Sequence, residues 1–170
     1  MTIIVNKGRM FDFITHTPNP IGGCPTGDRY DDDGHKHCSH SCIYGWCKVL
    51  KDRFRYPKYE GPWRLYPSEM KNYGPDDFPF PFDMIDIGDP TIPEEIILKI
   101  LEWIAKQPCL MLLLTKNPSF YRKYASHIPP NAVLGATVEC DEPAVLSKVS
   151  GAPSPYERLD SYLLDELMNP

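Results

Sequence analysis

Four of the six cysteines in this chain lie in one short window, and this clustering constrains the fold more than any other feature of the sequence. Cys24, Cys38, Cys42 and Cys47 are interspersed with glycine, proline and histidine, which disfavour a regular helix or strand. Thiolates in a glycine-bearing loop suit zinc or an iron–sulfur cluster. The alternative is that these are reduced cysteines packed as small hydrophobic residues, which such polar surroundings disfavour. The sequence therefore predicts a metal-binding loop.

The rest of the composition is that of an ordinary globular domain. A length of 170 residues with 42% hydrophobic and 24% charged residues predicts one domain, 1–170, with a proper core. The longest uncharged apolar run, 109–115, falls far below the roughly 20 residues of a membrane span, so we expect no membrane partner and a soluble, cytoplasmic protein. A net charge of −5 disfavours general binding to nucleic acid. We expect the isolated Cys109 to pack in the core, and Cys140 also to be a packing residue.

Strands and helices are predicted to alternate along the chain. We expect strands at 11–15, 82–87, 109–114 and 132–139, and helices at 118–126 and 156–168. A further helix is predicted after Thr91, which forms a capping box with Glu94. Five apolar residues of that helix share one face: Ile96, Ile97, Ile100, Leu101 and Ile104. No regular element is expected between residues 17 and 42.

This order predicts an α/β fold, namely a partial (β/α) barrel of about four parallel strands with the cysteine loop after the first. We divide the domain into the first strand and cysteine loop (10–55), an irregular segment rich in proline and aromatic residues (56–82), a βαβαβ core (83–140) and a C-terminal helical tail (141–170). Ligands gather at the carboxyl ends of parallel strands. Polar or glycine-bearing tips are expected to meet there on one rim: His16; Gly88, Asp89, Pro90 and Thr91; Thr115, Lys116 and Asn117; Thr137 and Glu139.

Three thiols after a first strand, with the turn Gly88-Asp89-Pro90 after a second, resemble the radical SAM superfamily. A loop in that superfamily, usually C-x3-C-x2-C, holds a [4Fe–4S] cluster whose fourth iron chelates S-adenosylmethionine. The resemblance implies that Cys38, Cys42 and Cys47 bind the cluster, with Cys24 as a substitute or a fourth ligand. It also implies reductive cleavage of S-adenosylmethionine to a 5′-deoxyadenosyl radical that abstracts hydrogen from a substrate. The turn 88–90 is similar to the turn that meets the cofactor's amino group.

Four segments resemble, in the same order, an uncharacterised phage-type branch of that superfamily related to spore photoproduct lyase. They are NPIGGC at 19–24, WRLYP at 63–67, LTKNP at 114–118 and NAVLGATVE at 131–139, and the similarity spans residues 10–140. Among strand-end residues, Thr115 and Lys116 are candidates to bind the cofactor. The lysine would meet a carboxylate or phosphate, or it is simply solvated. Thr137 and Glu139 are candidates for a ribose hydroxyl or the amino group, although a strand-end glutamate is often only a helix cap.

Several alternatives stay open. A fourth protein ligand would block the open iron, and the chain would then be a non-catalytic binding module stabilised by zinc or an iron–sulfur cluster. It could also be a truncated, inactive member of the family. Basic and aromatic residues interleaved over 48–73 form a candidate nucleic-acid surface, or a helix face and a packing segment. Because the radical SAM core normally has six βα units, a partner chain or a second copy is expected to complete the barrel.

Overall fold

A computed structural model describes residues 11–24, 40 and 53–162 of the chain. The strands are β1 (Ile21–Cys24), β2 (Gly61–Leu65), β3 (Met111–Thr115) and β4 (Ala132–Ala136). The α-helices are α1 (Glu94–Ala105), α2 (Ser119–Lys123), α3 (Pro143–Val149) and α4 (Pro155–Tyr162), and short 3-10 helices lie at Pro57–Tyr59 and Pro67–Glu69. None of the helices found in this part of the chain is long and apolar enough to span a membrane.

β3 and β4 form a parallel pair, with α2 in the connection between them. Their register runs from Met111 opposite Ala132 to Thr115 opposite Ala136. The fully buried Tyr121 of α2 joins the strands, because its hydroxyl lies 2.7 Å from the Leu113 carbonyl oxygen and 2.9 Å from that of Gly135. The strands predicted at 109–114 and 132–139 and the helix predicted at 118–126 are thus confirmed, with the second strand and the helix ending earlier than expected.

The helix predicted after Thr91 is α1, and its five apolar positions are all buried against the core. The predicted capping box is wrong, because Pro93 precedes the helix and no side chain caps it. The Thr91 hydroxyl instead donates to the Asp89 carboxylate at 2.7 Å, in the turn before the helix. At the other end, the Asn131 amide donates to three carbonyls that follow or end α1, those of Ile104, Gln107 and Cys109.

The strands predicted at 11–15 and 82–87 are wrong, since both segments form turns and bends. Extended pairing occurs just outside them, as a single parallel bridge between His16 and Pro79. The Pro79 carbonyl also accepts a hydrogen bond from the Leu112 N–H at 2.9 Å, which places this bridge beside the start of β3. Prolines lack the N–H that a longer ladder needs, and four of them flank or form the bridge: Pro18, Pro20, Pro79 and Pro81.

β1 and β2 form an antiparallel pair in segments that we expected to be irregular. The pairing is interrupted between Gly22 and Cys24, where Gly23 has a φ of 89°. A side chain at Gly23 would also meet the Pro62 backbone, so this bulge requires glycine for two independent reasons. The expectation of no regular element between 17 and 42 is therefore wrong for β1, and the segment 56–82 contains β2.

The core lies between α1 and the β3–β4 pair and extends to aromatic residues of the preceding loop. Cys109 is only 3% exposed, so its predicted packing role is confirmed, and burial raises the pKa of its thiol. The described residues contain two sheets of two strands each. The four-stranded partial barrel stays a prediction.

Candidate functional site

Polar and charged side chains meet where β3 and β4 end, and we call this group the strand-end cluster. The Thr137 N–H donates to the Thr115 carbonyl at 2.8 Å, which continues the pairing of the strands one step beyond β4. The tips of the two strands are therefore held side by side. The cluster consists of His40, Asp86, Gly88, Thr115, Lys116, Asn117, Glu139 and Arg158.

Asp86 is the acceptor around which the first half of this cluster is built. Its Oδ1 accepts from the Thr115 hydroxyl at 2.5 Å and from the Gly88 N–H at 2.9 Å. Its Oδ2 accepts from the Lys116 N–H at 2.6 Å and lies 3.2 Å from His40 Nε2. Burial alone would raise the pKa of Asp86, but the hydrogen bond and charge of His40, with the Thr115 and Lys116 donors, outweigh it and hold that pKa below its ordinary value.

The second half of the cluster is a carboxylate held between two cations. Glu139 Oε1 lies 2.6 Å from Lys116 Nζ, and Glu139 Oε2 lies 2.5 Å from Arg158 Nη1. Arg158, from α4, is fully buried and also donates to the carbonyls of Thr137 and Pro153. Its Nη2 is buried without a hydrogen-bond partner in the part of the chain that the structure describes. Lys116 joins the two halves, because its N–H bonds Asp86 while its ammonium bonds Glu139.

The turn 88–90 is packed tightly against the end of β3. Its Gly88 carbonyl accepts from the Asn117 amide at 2.8 Å, and the Asp89 carboxylate turns back to accept from the Thr91 N–H at 2.9 Å. Beside this turn lies a cleft of about 120 Å³, which Gly88, Asp89 and Pro90 line together with residues that begin or belong to α2. This volume is well below the roughly 300 Å³ at which ligand pockets typically begin, so the cleft accommodates only a small group.

Gly88→Ala is expected to destabilise the protein by about 2 kcal/mol or more, since overpacking a tight contact typically costs 1–3 kcal/mol. A Cβ at this position would collide with the Thr115 hydroxyl, which is already committed to Asp86, and would lie 3.0 Å from the Asn117 carbonyl oxygen. Urea unfolding measures the change. Gly74→Ala is the matched control, because its Cβ would meet only Asp77 at 3.5 Å, an ordinary contact. Equal stability of the two variants would contradict the tight packing of Gly88.

A second, partly buried carboxyl group, that of Asp83, lies three residues before Asp86, and its pKa is shifted in the opposite direction. Burial raises the pKa of Asp83, although a hydrogen bond from Asn19 opposes it. Its Oδ1 is buried and has no hydrogen-bond partner within the described ranges. Neighbouring carboxyls whose environments separate their pKa values are typical of functional sites, and they also occur in structural networks.

The structure brings together most of the strand-end residues predicted from the sequence. Gly88, Thr115, Lys116 and Glu139 join the cluster through side chains or backbone, and Thr137 contributes its N–H and carbonyl. Asp89 and Pro90 lie next to it in the cleft. The expectation for His16 is wrong, because it lies beside Asp77 and Tyr73, near the start of β3 and not its end.

Three residues of the cluster were missed from the sequence. Asp86 was assigned to a strand, although an acidic residue between Ile85 and Ile87 is a recognisable signal of a buried carboxylate. His40 was not distinguished from the other histidines near the cysteines, and no local pattern separates it from them. Arg158 gives no sequence signal either, because its partners are about 20 residues away or are backbone carbonyls.

The predicted metal ligands fall largely outside the described residues. This is the case for Cys38, Cys42 and Cys47, whereas the backbone of Cys24 ends β1. Within the described ranges, no three His, Cys, Asp or Glu side chains are grouped so that they could hold a metal ion. The predicted set of thiols is therefore neither supported nor contradicted.

The basic and aromatic segment 48–73 uses several of its groups internally, where described. Lys58 pairs with Glu69 at 2.9 Å, and Arg64 donates to the carbonyls of Pro57 and Glu60. The Trp63 indole N–H donates to the Thr91 hydroxyl across 28 residues of sequence. These contacts are compatible with the packing interpretation, and the nucleic-acid surface stays a prediction because Lys48 and Lys51 lie outside the described residues.

The cofactors that the sequence resemblance implies stay a prediction, and only the chemistry of some donor groups is compatible with them. Four thiols in the sequence suit an iron–sulfur cluster. The buried Nη2 of Arg158 and the ammonium of Lys116 are donors for a carboxylate, as the methionine moiety of S-adenosylmethionine carries. The fit rests on this chemistry and not on volume, since the cleft beside Gly88 is too small for a nucleoside.

Comparison with known proteins gives no family assignment. No protein-family model matches the chain, and neither a curated protein nor a solved structure is significantly similar to it. The functional argument therefore depends on the chain's own residues.

Proposed function

We propose that this chain is a radical SAM-type iron–sulfur protein, in which the strand-end cluster faces the cofactors. Cys38, Cys42 and Cys47 bind a [4Fe–4S] cluster, with Cys24 as a substitute or fourth ligand. The turn 88–90 and the polar residues Thr115, Lys116, Thr137 and Glu139 hold S-adenosylmethionine. When bound, the reduced cluster would supply one electron for the cleavage of S-adenosylmethionine, and the chemistry available at the site would be hydrogen abstraction from a substrate. The substrate is unknown, and nucleic acid is one candidate for it.

The observation that carries this proposal is the position of His40. This residue belongs to the cysteine window, two residues after Cys38 and two before Cys42. Its side chain reaches Asp86, and Asp86 also binds the last residue of β3. This contact supports the proposal, because it connects a residue from the cysteine window to strand-end residues that were predicted independently.

One observation favours the second candidate, a metal-stabilised module without catalysis. The cluster's charged groups bond to one another: Asp86 accepts from Thr115 and the Lys116 N–H, and Glu139 is paired with Lys116 and Arg158. A network satisfied in this way stabilises a fold without any ligand. In this case all four thiols of the window bind zinc or an iron–sulfur cluster and no open metal position remains.

The short sheet leads to a proposal about partners. The described residues include only one parallel pair, β3–β4, extended by the single bridge at His16 and Pro79. We propose that another chain or a second copy supplies the missing strands of a barrel. Sedimentation of the reconstituted protein would distinguish a self-associating chain from one that needs a different partner.

Anaerobic reconstitution with iron and sulfide tests the two functions. The radical SAM proposal predicts a brown protein with about four irons per chain, and an EPR signal of the reduced cluster that changes when S-adenosylmethionine is added. Replacing Cys38, Cys42 and Cys47 together by alanine is expected to abolish the cluster. Cys140→Ala is the matched control, because this thiol is a partly exposed free cysteine outside the cysteine window that hydrogen-bonds the Glu142 backbone.

The outcomes separate the candidates. A colourless protein that retains stoichiometric zinc contradicts the radical SAM proposal and supports the second candidate. A cluster whose EPR signal ignores S-adenosylmethionine does the same. A Cys24→Ala variant that keeps its cluster and its response to the cofactor shows that the other three thiols suffice.

A further inference from the structure

His40 is held at both its side chain and its backbone by parts of the chain that are distant in sequence. Its Nε2 lies 3.2 Å from Asp86 Oδ2, with only 7% of the imidazole exposed. On the backbone side, its carbonyl accepts from the Gly151 N–H at 2.5 Å and from the Ser150 hydroxyl at 3.3 Å. Ser150 and Gly151 lie in the connection from α3 to α4 and are 110 and 111 residues from His40.

His40 is buried and bonded at both its side chain and its backbone, which is unusual for a loop residue. Loop backbones usually lie at the surface, because a buried carbonyl or imidazole without partners costs free energy. Here the imidazole and the carbonyl are both supplied with partners, and those partners are themselves fixed. Asp86 is bonded to Thr115 and the Lys116 N–H, and Ser150 is buried at the end of α3.

We infer that His40 is a positioning residue that docks the cysteine window on the strand-end cluster, fixing the chain on both sides at the point between Cys38 and Cys42. The role of those thiols as metal ligands rests on the proposed function, whereas the docking does not. Asp86 is the partner beside the end of β3, and Ser150 with Gly151 is the partner beyond β4. His40 acts through its contacts with these residues.

Thiol alkylation of the metal-free protein tests the docking without any cofactor. Peptide mass spectrometry follows the rate at which iodoacetamide modifies each cysteine. His40→Ala is expected to speed modification of Cys38 and Cys42 about tenfold, the change in an opening equilibrium that the loss of one close contact with a charged carboxylate is worth. Cys109 is buried in the core and only 3% exposed, so it is an internal control whose rate of alkylation should not change.

Two variants keep this test decisive if His40→Ala disturbs folding. His40→Gln retains an N–H donor that can reach Asp86, and is expected to restore slow alkylation. His127→Ala removes an exposed histidine whose ring contacts the Ser126 hydroxyl, and should leave all rates unchanged. Wild-type rates in His40→Ala, or equal acceleration of Cys109, would overturn the inference. Failure of His40→Gln to slow alkylation relative to His40→Ala would also count against it.

The reconstituted protein gives a second measurement. Docking predicts that an iron chelator strips the cluster of His40→Ala about tenfold faster than that of the wild type, and that its EPR line shape differs. His40→Gln should restore both. If the wild type binds zinc or no metal, the proposed function fails, while the alkylation rates still decide the docking. If the cluster forms and both measurements match in all variants, the docking fails and the proposed function stands.

Discussion

Arg158→Met is expected to lower the free energy of unfolding by about 2–3 kcal/mol, because the buried guanidinium bonds a partly exposed carboxylate and a hydrogen bond to a charged group contributes about 1.5–3 kcal/mol. Methionine occupies a comparable volume but leaves the Glu139 carboxylate without one of its two cations. It also leaves the carbonyls of Thr137 and Pro153 without their donor. Urea unfolding, followed by circular dichroism, measures the change.

A double-mutant cycle shows whether this cost comes from the charge. Arg158→Met leaves the Glu139 carboxylate without one of its cations. Glu139→Gln should therefore lower the free energy of unfolding much less in the Arg158→Met background than in the wild type. Lys148→Met is a control for loss of an exposed cation at the end of α3. Additive effects of Arg158→Met and Glu139→Gln would contradict a direct coupling of the two side chains.

Asp86→Asn is expected to cost about 3 kcal/mol or more, because one acceptor oxygen becomes an NH2 group facing donors. Whichever way the amide turns, it faces either the Thr115 hydroxyl and the Gly88 N–H, or the Lys116 N–H and His40. Asp76→Asn, in an exposed loop, is the matched control. A loss in Asp86→Asn no greater than in Asp76→Asn would show that Asp86 does not organise the cluster.

Asp86→Asn is also expected to change how the free energy of unfolding depends on pH in acid. The pKa of Asp86 lies below its ordinary value in the folded chain, since the His40 and Thr115 contacts outweigh the effect of burial. A carboxyl of this kind stabilises the fold above its unfolded-state pKa, and this stabilisation is lost as the pH falls through the folded value. The wild type should therefore lose stability below about pH 4 more steeply than Asp86→Asn does, as unfolding curves at successive pH values would show. Parallel curves would contradict the depressed pKa.

Local periodicity predicted the part of the fold that depends on local burial. The apolar spacing of Ile96, Ile100 and Ile104 placed α1 correctly, and the uniformly apolar run before Thr115 placed β3. Periodicity gave wrong predictions for segments next to prolines and for the residues that precede α1. The apolar residues at 82–87 are largely buried, yet Pro79 and Pro81 confine extended pairing to one bridge. Thr91 matches a capping box in sequence, but its hydroxyl bonds Asp89.

Some residues of the candidate site could likewise be predicted from the sequence, and others could not. Thr115, Lys116 and Glu139 were predicted because the carboxyl ends of parallel strands meet, which topology alone dictates. Arg158 and the particular role of His40 could not be predicted, because both depend on contacts between segments that are distant in sequence. Gly88 was predicted as part of a turn that binds a ligand, whereas the structure shows that its lack of a side chain is already required by Thr115.

The two contacts of His40 also set an order of events during synthesis. Asp86 leaves the ribosome 46 residues after His40, and Ser150 follows 110 residues after it. At roughly 5–20 residues per second, His40 waits about 5–20 s for Ser150 and Gly151 after it has itself been made. During that interval His40 lacks the two hydrogen bonds that its carbonyl accepts from Gly151 and Ser150 in the folded chain.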